Sequence, residues 1–159
     1  MFNLKKGKSL KLYAPVNGTM ISLADVPDKV FASEMMGQGV AFVYDDNLVC
    51  APCDGRITLI PSTLHAFGMI DATGAEILVH IGLDTVNLRG KGFKALVEQG
   101  CKVKKGTPVI EIDREFMKEN DIVLTTPVVI TNSSDFAVSI TLNTVCERGI
   151  TEILTCTKK

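Results

Sequence analysis

Thr63-Leu64-His65-Ala66-Phe67-Gly68-Met69-Ile70-Asp71-Ala72-Thr73-Gly74-Ala75-Glu76-Ile77-Leu78-Val79-His80-Ile81-Gly82-Leu83 contains both histidines of the chain. In its second half the residues alternate with period two. Ile77, Val79, Ile81 and Leu83 fall on one face, and Glu76, Leu78, His80 and Gly82 on the other. The first face is core. The same phase in the first half sends Leu64, Ala66, Gly68 and Ile70 inward and Thr63, His65, Phe67 and Met69 outward. Asp71 to Gly74 reads as a four-residue hairpin loop, opened by Asp and closed by Gly. A symmetric loop then sets Phe67 opposite Leu78 and His65 opposite His80 on the outer face. Directly opposed β-carbons lie about 4.5–5.5 Å apart, so the two imidazoles reach one common ligand or reacting group.

Outward from this hairpin the chain continues in short runs rich in Val, Ile and Thr, among them Gly39–Tyr44, Thr107–Ile112, Val128–Thr131 and Glu152–Thr155. Gly, Pro, Asn and Asp separate them. The pattern predicts an all-β fold, an antiparallel β-sandwich or barrel-like hybrid. Only Phe93–Glu98 and Arg114–Asn120 carry enough helix formers for a turn or two. An internal repeat relates Ala14-Pro15-Val16-Asn17-Gly18-Thr19-Met20 to Ala51-Pro52-Cys53-Asp54-Gly55-Arg56-Ile57, at an offset of 37 residues. The Asn-Gly and Asp-Gly pairs predict a tight type I′ hairpin in each copy. No linker divides the chain, so the expected organisation is a tail over 1–9 and a single domain over 10–159.

Composition narrows the function. The 159 residues carry 17 Lys+Arg against 18 Asp+Glu, for a formal net charge of −1. No basic stripe with interleaved aromatics is present, which argues against a nucleic-acid partner. The segment Met1–Leu12 has lysines but no apolar run, and no stretch approaches the roughly 18 apolar residues of a membrane span. Five cysteines at irregular spacing read as free thiols. A cytoplasmic location without membrane insertion is the expectation.

Two opposed imidazoles among outward apolar side chains mark a docking site. A zinc site would need three or four ligands, and only Asp84 and Glu76 lie near in sequence, so no metal is expected. A serine hydrolase would need a G-x-S-x-G elbow, which is absent. A histidine that is itself the nucleophile remains, since a neutral imidazole attacks phosphorus while its partner bonds the phosphoryl oxygens.

The run from Gly74 to Val86 resembles the active-site segment of the glucose-family enzyme IIA component of the bacterial phosphoenolpyruvate-dependent sugar phosphotransferase system. So do Ala14-Pro15-x-x-Gly18, Val26-Pro27-Asp28 with Val30-Phe31-Ala32, Met36-Gly37-Gln38-Gly39-Val40-Ala41, Ala51-Pro52-x-x-Gly55, Thr63-x-His65-Ala66, Gly90-x-Gly92-Phe93 and Thr125-Thr126-Pro127-Val128-Val129, in that order. The resemblance implies an antiparallel sandwich and a phosphorelay with no cofactor. His80 would take a phosphoryl group from the phosphocarrier HPr on Nε2 and pass it to a cysteine of an enzyme IIB domain of a sugar permease. His65 would assist as the second active-site histidine, and Thr63 would orient it. Asp28 and Asp84 match acidic residues flanking the site, and Val30, Phe31, Leu78 and Val86 match its docking rim, which outward-facing Phe67 would extend. A regulatory binding role for the same apolar face is a second expectation. Leu78 departs from the family pattern, which has Phe beside the nucleophile.

For Nε2 to be the nucleophile, Nδ1 of His80 must hold a proton, and a backbone carbonyl such as that of Gly82 could fix this tautomer. Cys50-Ala51-Pro52-Cys53 matches C-x-x-C, but it lies in the Ala-Pro repeat and not at the start of a helix, so small apolar roles are expected. Val103–Asp113 has the outline of a biotinyl-type hairpin and lacks the lysine at its tip.

Overall fold

A computed structural model describes residues 8–159, so the expected tail lies, for residues 1–7, outside the described residues. Its last member, Ser9, already opens a strand. The largest sheet has eight antiparallel strands, numbered in chain order and arranged as β13 (Val145–Cys146), β2 (Gly18–Ser22), β3 (Gln38–Tyr44), β11 (Thr126–Ile130), β7 (Glu76–His80), β6 (Ala66–Ile70), β5 (Gly55–Leu59) and β9 (Lys102–Val103). A three-stranded sheet runs β1 (Ser9–Tyr13), β14 (Glu152–Lys158), β12 (Phe136–Ile140), and another β4 (Leu48–Cys50), β10 (Pro108–Ile112), β8 (Phe93–Ala95). The two α-helices among the described residues are short: α1 (Lys29–Ala32) and α2 (Arg114–Glu119).

One apolar core draws on all three sheets, with Leu12 and Leu154 from the first small sheet, Val49 and Ile110 from the second, and Phe42, Ile57, Phe67, Val79 and Ile130 from the large one. The all-β expectation holds. The helix expected at Phe93–Glu98 does not form. Phe93 is buried and pairs with Ile112, while Lys94 pairs with Glu111, so the sheet satisfies a backbone that local propensity alone would have coiled.

The repeat turns differ from expectation in an informative way. Neither is a tight hairpin, because β1 pairs with β14 and β2 with β3 and β13, while β4 pairs with β10 and β5 with β6 and β9. Each copy instead carries the chain from one sheet to another. Asn17, Gly18, Asp54 and Gly55 all stay out of the left-handed region that type I′ demands. Glycine is needed at 18 and 55 for a different reason. A Cβ at Gly18 would lie 2.6 Å from the Val43 carbonyl oxygen, and one at Gly55 2.4 Å from that of Ile70. The two copies also bond each other reciprocally: Tyr13 N–H donates to the Pro52 carbonyl and Cys50 N–H to that of Pro15, both at 2.8 Å. With Ala14, Val16, Ala51 and Cys53 buried, the repeat is the seam where the layers meet. Cys50 and Cys53 are unpaired thiols, and burial drives the Cys50 thiol up to about 11 and Cys53 upward as well, which leaves both inert.

The β6–β7 hairpin closes one residue tighter than a symmetric loop. Gly74 N–H donates to the Asp71 carbonyl at 3.1 Å, Asp71 N–H donates to the Ala75 carbonyl at 3.2 Å, and Gly74 has φ +89°. This is a type I turn followed by a left-handed glycine, a standard three-residue hairpin connection. The Asp71 carboxylate holds it by accepting from Thr73 N–H and Ala75 N–H, both at 3.1 Å, and from the Thr73 hydroxyl at 2.6 Å. The register therefore shifts by one, so that Ala66 faces His80, Phe67 faces Val79 and Gly68 faces Leu78. A one-residue shift exchanges the faces of β6. Phe67 and Met69 are core residues, 0% and 1% exposed, and the expectation that Phe67 lies on the docking face is overturned. Substituting Phe67 with Ala should lower unfolding free energy by about 3–5 kcal/mol in denaturant titrations, whereas a surface phenylalanine would leave it within about 0.5 kcal/mol.

Candidate active site

The outer face of the large sheet is apolar where β7, β11 and β3 run side by side, and the chain covers part of it. Leu23, Val26 and Phe31 pack over Ala41 and Val129, with Ile21, Leu78 and Leu83 at the margin, as a second cluster separate from the main core. Side-chain caps fix this covering segment. The Ser22 hydroxyl accepts from Ala24 N–H at 3.2 Å, and Asp28 Oδ1 accepts from Val30 N–H at 2.9 Å at the start of α1. That cap sets the rotation of α1, so Phe31 points into the cluster and Val30 stands 43% exposed.

His80 ends β7 beside this cluster. Its Nδ1 lies 2.7 Å from the Gly82 carbonyl oxygen. A carbonyl only accepts, so Nδ1 carries the proton and Nε2 the free lone pair. Gly82 has φ +83°, and a Cβ there would lie 2.6 Å from the Thr85 methyl and 2.9 Å from the Val123 carbonyl oxygen. Only glycine fits. The loop beyond it is tied down where Leu83 N–H donates to the Val123 carbonyl at 2.9 Å and the buried Thr85 hydroxyl donates to that of Ile81 at 2.7 Å. The acceptor for His80 is therefore held rigidly.

His65 precedes β6, and Ala66 occupies the ladder position opposite His80. The two imidazoles still meet, with ring centroids 5.1 Å apart at 78°. A bend allows it: Leu64 adopts φ +56°, and His65 leaves the strand phase that buries Phe67. The Thr63 hydroxyl lies 2.7 Å from His65 Nδ1, and Ile81 N–H donates to the His65 carbonyl at 2.6 Å. The Phe31 ring centroid lies 5.0 Å from that of His80. Phe31 is thus a buried wall of the site at 5% exposure, and the expectation that it forms part of the docking rim is corrected, since the Asp28 cap turns it inward. Of the other expected rim residues, Val30 and Val86 are exposed, Leu78 and Asp28 half-buried, and Asp84 exposed in a left-handed conformation at φ +58°.

Electrostatics suits a neutral pair. Burial holds the His80 imidazole below the ordinary histidine range and outweighs the Gly82 hydrogen bond and the charges of Asp28 and Asp84, which push the other way. Burial, then the neighbouring His80, lowers His65 as well. Among the described residues no group of three or more His, Cys, Asp or Glu is placed to hold a metal ion, and no helix is long and apolar enough to cross a membrane.

The family described as phosphoenolpyruvate-dependent sugar phosphotransferase system, EIIA 1, matches residues 10–136. The chain belongs to it. A glucose-specific EIIA component of Borreliella burgdorferi is 44% identical over 131 residues, which are 82% of this chain and 69% of that one. An N-acetylglucosamine-specific EIICBA component of Klebsiella pneumoniae is 45% identical over 131 residues, again 82% of this chain but 20% of that one, so the matched EIIA unit there spans a fifth of a longer protein. Among solved structures, glucose permease IIA from Mycoplasma capricolum superimposes with a TM-score of 0.86 at 34% identity, covering 98% of this chain and 99% of that chain. This EIIA chain is accordingly a phosphocarrier component of sugar uptake, built on the same antiparallel β fold.

Proton titration by NMR should give both histidines midpoints below about 6.5, because desolvation disfavours the charged ring. His80 should remain an Nδ1–H tautomer at neutral pH. A midpoint at or above that value for His80, or an Nε2–H tautomer, would contradict the geometry.

Proposed function

We propose that His80 is the phosphoryl acceptor of this EIIA protein, with His65 as the assisting residue and Thr63 as the group that orients it. The observation that carries the reading is the His80 Nδ1 to Gly82 carbonyl hydrogen bond of 2.7 Å, which commits Nε2 to act as the nucleophile. The donor is the phosphohistidine of HPr. The Nε2 lone pair forms a bond to phosphorus as the donor's P–N bond breaks, and that electron pair returns to the donor ring. The proton stays on Nδ1, hydrogen-bonded to the Gly82 carbonyl, which stabilises the charge that develops on the imidazole as Nε2 becomes fully substituted. In the second step a cysteine thiolate of an enzyme IIB domain attacks phosphorus, and the electron pair returns to Nε2. Phosphoryl transfer of this kind is a matter of positioning and electrostatic accommodation, and two histidines on one rigid hairpin supply both.

Asp28, Val30, Leu78, Asp84 and Val86 form the surface on which these partners dock in turn. A modest apolar patch with acidic neighbours suits contacts that must dissolve after each transfer, typically under about 1,200 Å² in total. Residues 10–159 act as one EIIA domain, in the cytoplasm, without a cofactor. Fusion to permease domains in the EIICBA relatives supports IIB as the second partner.

His80→Ala should abolish labelling by phospho-HPr, whereas His65→Gln should still accept phosphate and pass it on at least about tenfold more slowly. Normal labelling of His80→Ala would overturn the assignment. The rate of acceptance should fall on acidification with a midpoint below the ordinary histidine value of about 6.5, as the depressed His80 titrates to its non-nucleophilic form. Stopped-flow or quenched transfer across that midpoint reads it.

A further inference from the structure

Leu64 is half-buried against the main core, with φ +56°. A branched side chain rarely occupies the left-handed region, because its Cβ crowds the following carbonyl oxygen. A turn fixes the conformation, with Leu64 N–H donating to the Pro61 carbonyl at 2.9 Å. Its location is telling. The ladder puts Ala66 opposite His80 and Phe67 in the core. Simple alternation would therefore send His65 inward with Phe67, away from His80. The imidazole instead stands 5.1 Å from that of His80 and 2.7 Å from the Thr63 hydroxyl. The left-handed residue is the step between Thr63 and His65 that permits both contacts.

We propose that Leu64 is a positioning residue for phosphoryl transfer, and that its left-handed backbone, not its apolar side chain, aims His65 at His80 and at Thr63. The inference rests on the phosphotransfer reading above. It makes a strained backbone the device that corrects strand phase at the active site, which is where sparsely populated conformations tend to be retained.

Substitutions at this position separate backbone from side chain. Leu64→Gly and Leu64→Asn tolerate the left-handed region but lose apolar contact, whereas Leu64→Val keeps much of the contact and disfavours the conformation. Onward transfer from phosphorylated protein to a cysteine-bearing IIB domain should stay within about threefold of wild type in the Gly and Asn variants. It should fall at least about tenfold in Leu64→Val, while acceptance on His80 changes little. Histidine NMR of the unphosphorylated protein should show His65 of Leu64→Val losing its Nδ1 hydrogen bond and titrating nearer the ordinary histidine range, with His65 of the Gly and Asn variants unchanged. If transfer instead follows apolar volume, with Val above Gly and Asn, or if His65 of Leu64→Val keeps its wild-type signature, the proposal is overturned. Should Leu64→Val not fold, Leu64→Ala against Leu64→Gly makes the same comparison: slower transfer in the Ala variant supports the idea, and equal or faster transfer overturns it. The NMR needs no phosphate, so failure of wild-type protein to accept phosphate would sink the phosphotransfer reading independently of this one.

Discussion

A single carboxylate sets the geometry of the site. Asp71 gathers two amide protons and a hydroxyl into a turn that closes with left-handed Gly74. The turn length fixes which residues of β6 and β7 face each other, and side chains have period two, so it decides which face every residue of β6 occupies. Phe67 and Met69 anchor one face in the core, and Ala66 and Gly68 take the other, opposite His80 and Leu78. His65 then has to reach the His80 side from outside the regular strand. Strand register, the bend at Leu64 and the meeting of the imidazoles are linked consequences of one hydrogen-bonded turn.

The large sheet is apolar on both faces for a stretch, and the two faces serve different purposes. The inner one belongs to the core shared by all three sheets. On the outer one, Leu23, Val26 and Phe31 cover Ala41 and Val129, and the cover ends at Phe31, beside His80. Phe31 contributes the last covered surface, against which His80 rests, and this burial keeps the ring uncharged despite the two carboxylates nearby. The same partial cover that shapes the acceptor's protonation leaves Val30 and Val86 at the surface.

Much of this could be read from the residues, and the failures have physical causes. Alternation placed Ile77, Val79 and Ile81 in the core because β7 is regular, and the Gly82 carbonyl, one candidate acceptor for His80, is the one that bonds it. The faces of Phe67 and Met69 were inverted, since Asp71-Ala72-Thr73-Gly74 supports a three-residue or a four-residue loop and only hydrogen bonding distinguishes them. That His65 was nonetheless expected beside His80 reflects two offsetting departures, the shorter loop and the bend. No sequence rule points to a left-handed leucine. Asn-Gly and Asp-Gly were read as turn formers, whereas Gly18 and Gly55 are required by the close passage of a neighbouring strand, a long-range fact invisible to local spacing. The resemblance that named the docking rim could not foresee Phe31 turned inward by the Asp28 cap.

The placement of β14 in the first small sheet bears on how the molecule comes into being. Its neighbours are β1, where Ser9 faces Thr157, and β12, where Phe136 faces Lys158. β14, which follows both of its neighbours in the chain, is thus the middle of that sheet. Until Glu152–Lys158 is synthesised, β1 and β12 have no partner within it, and Leu12 lacks the Leu154 opposite it. Closure of this layer joins segments far apart in the chain, Ser9–Tyr13 with Glu152–Lys158, and such long-range pairing favours all-or-none assembly over gradual accretion.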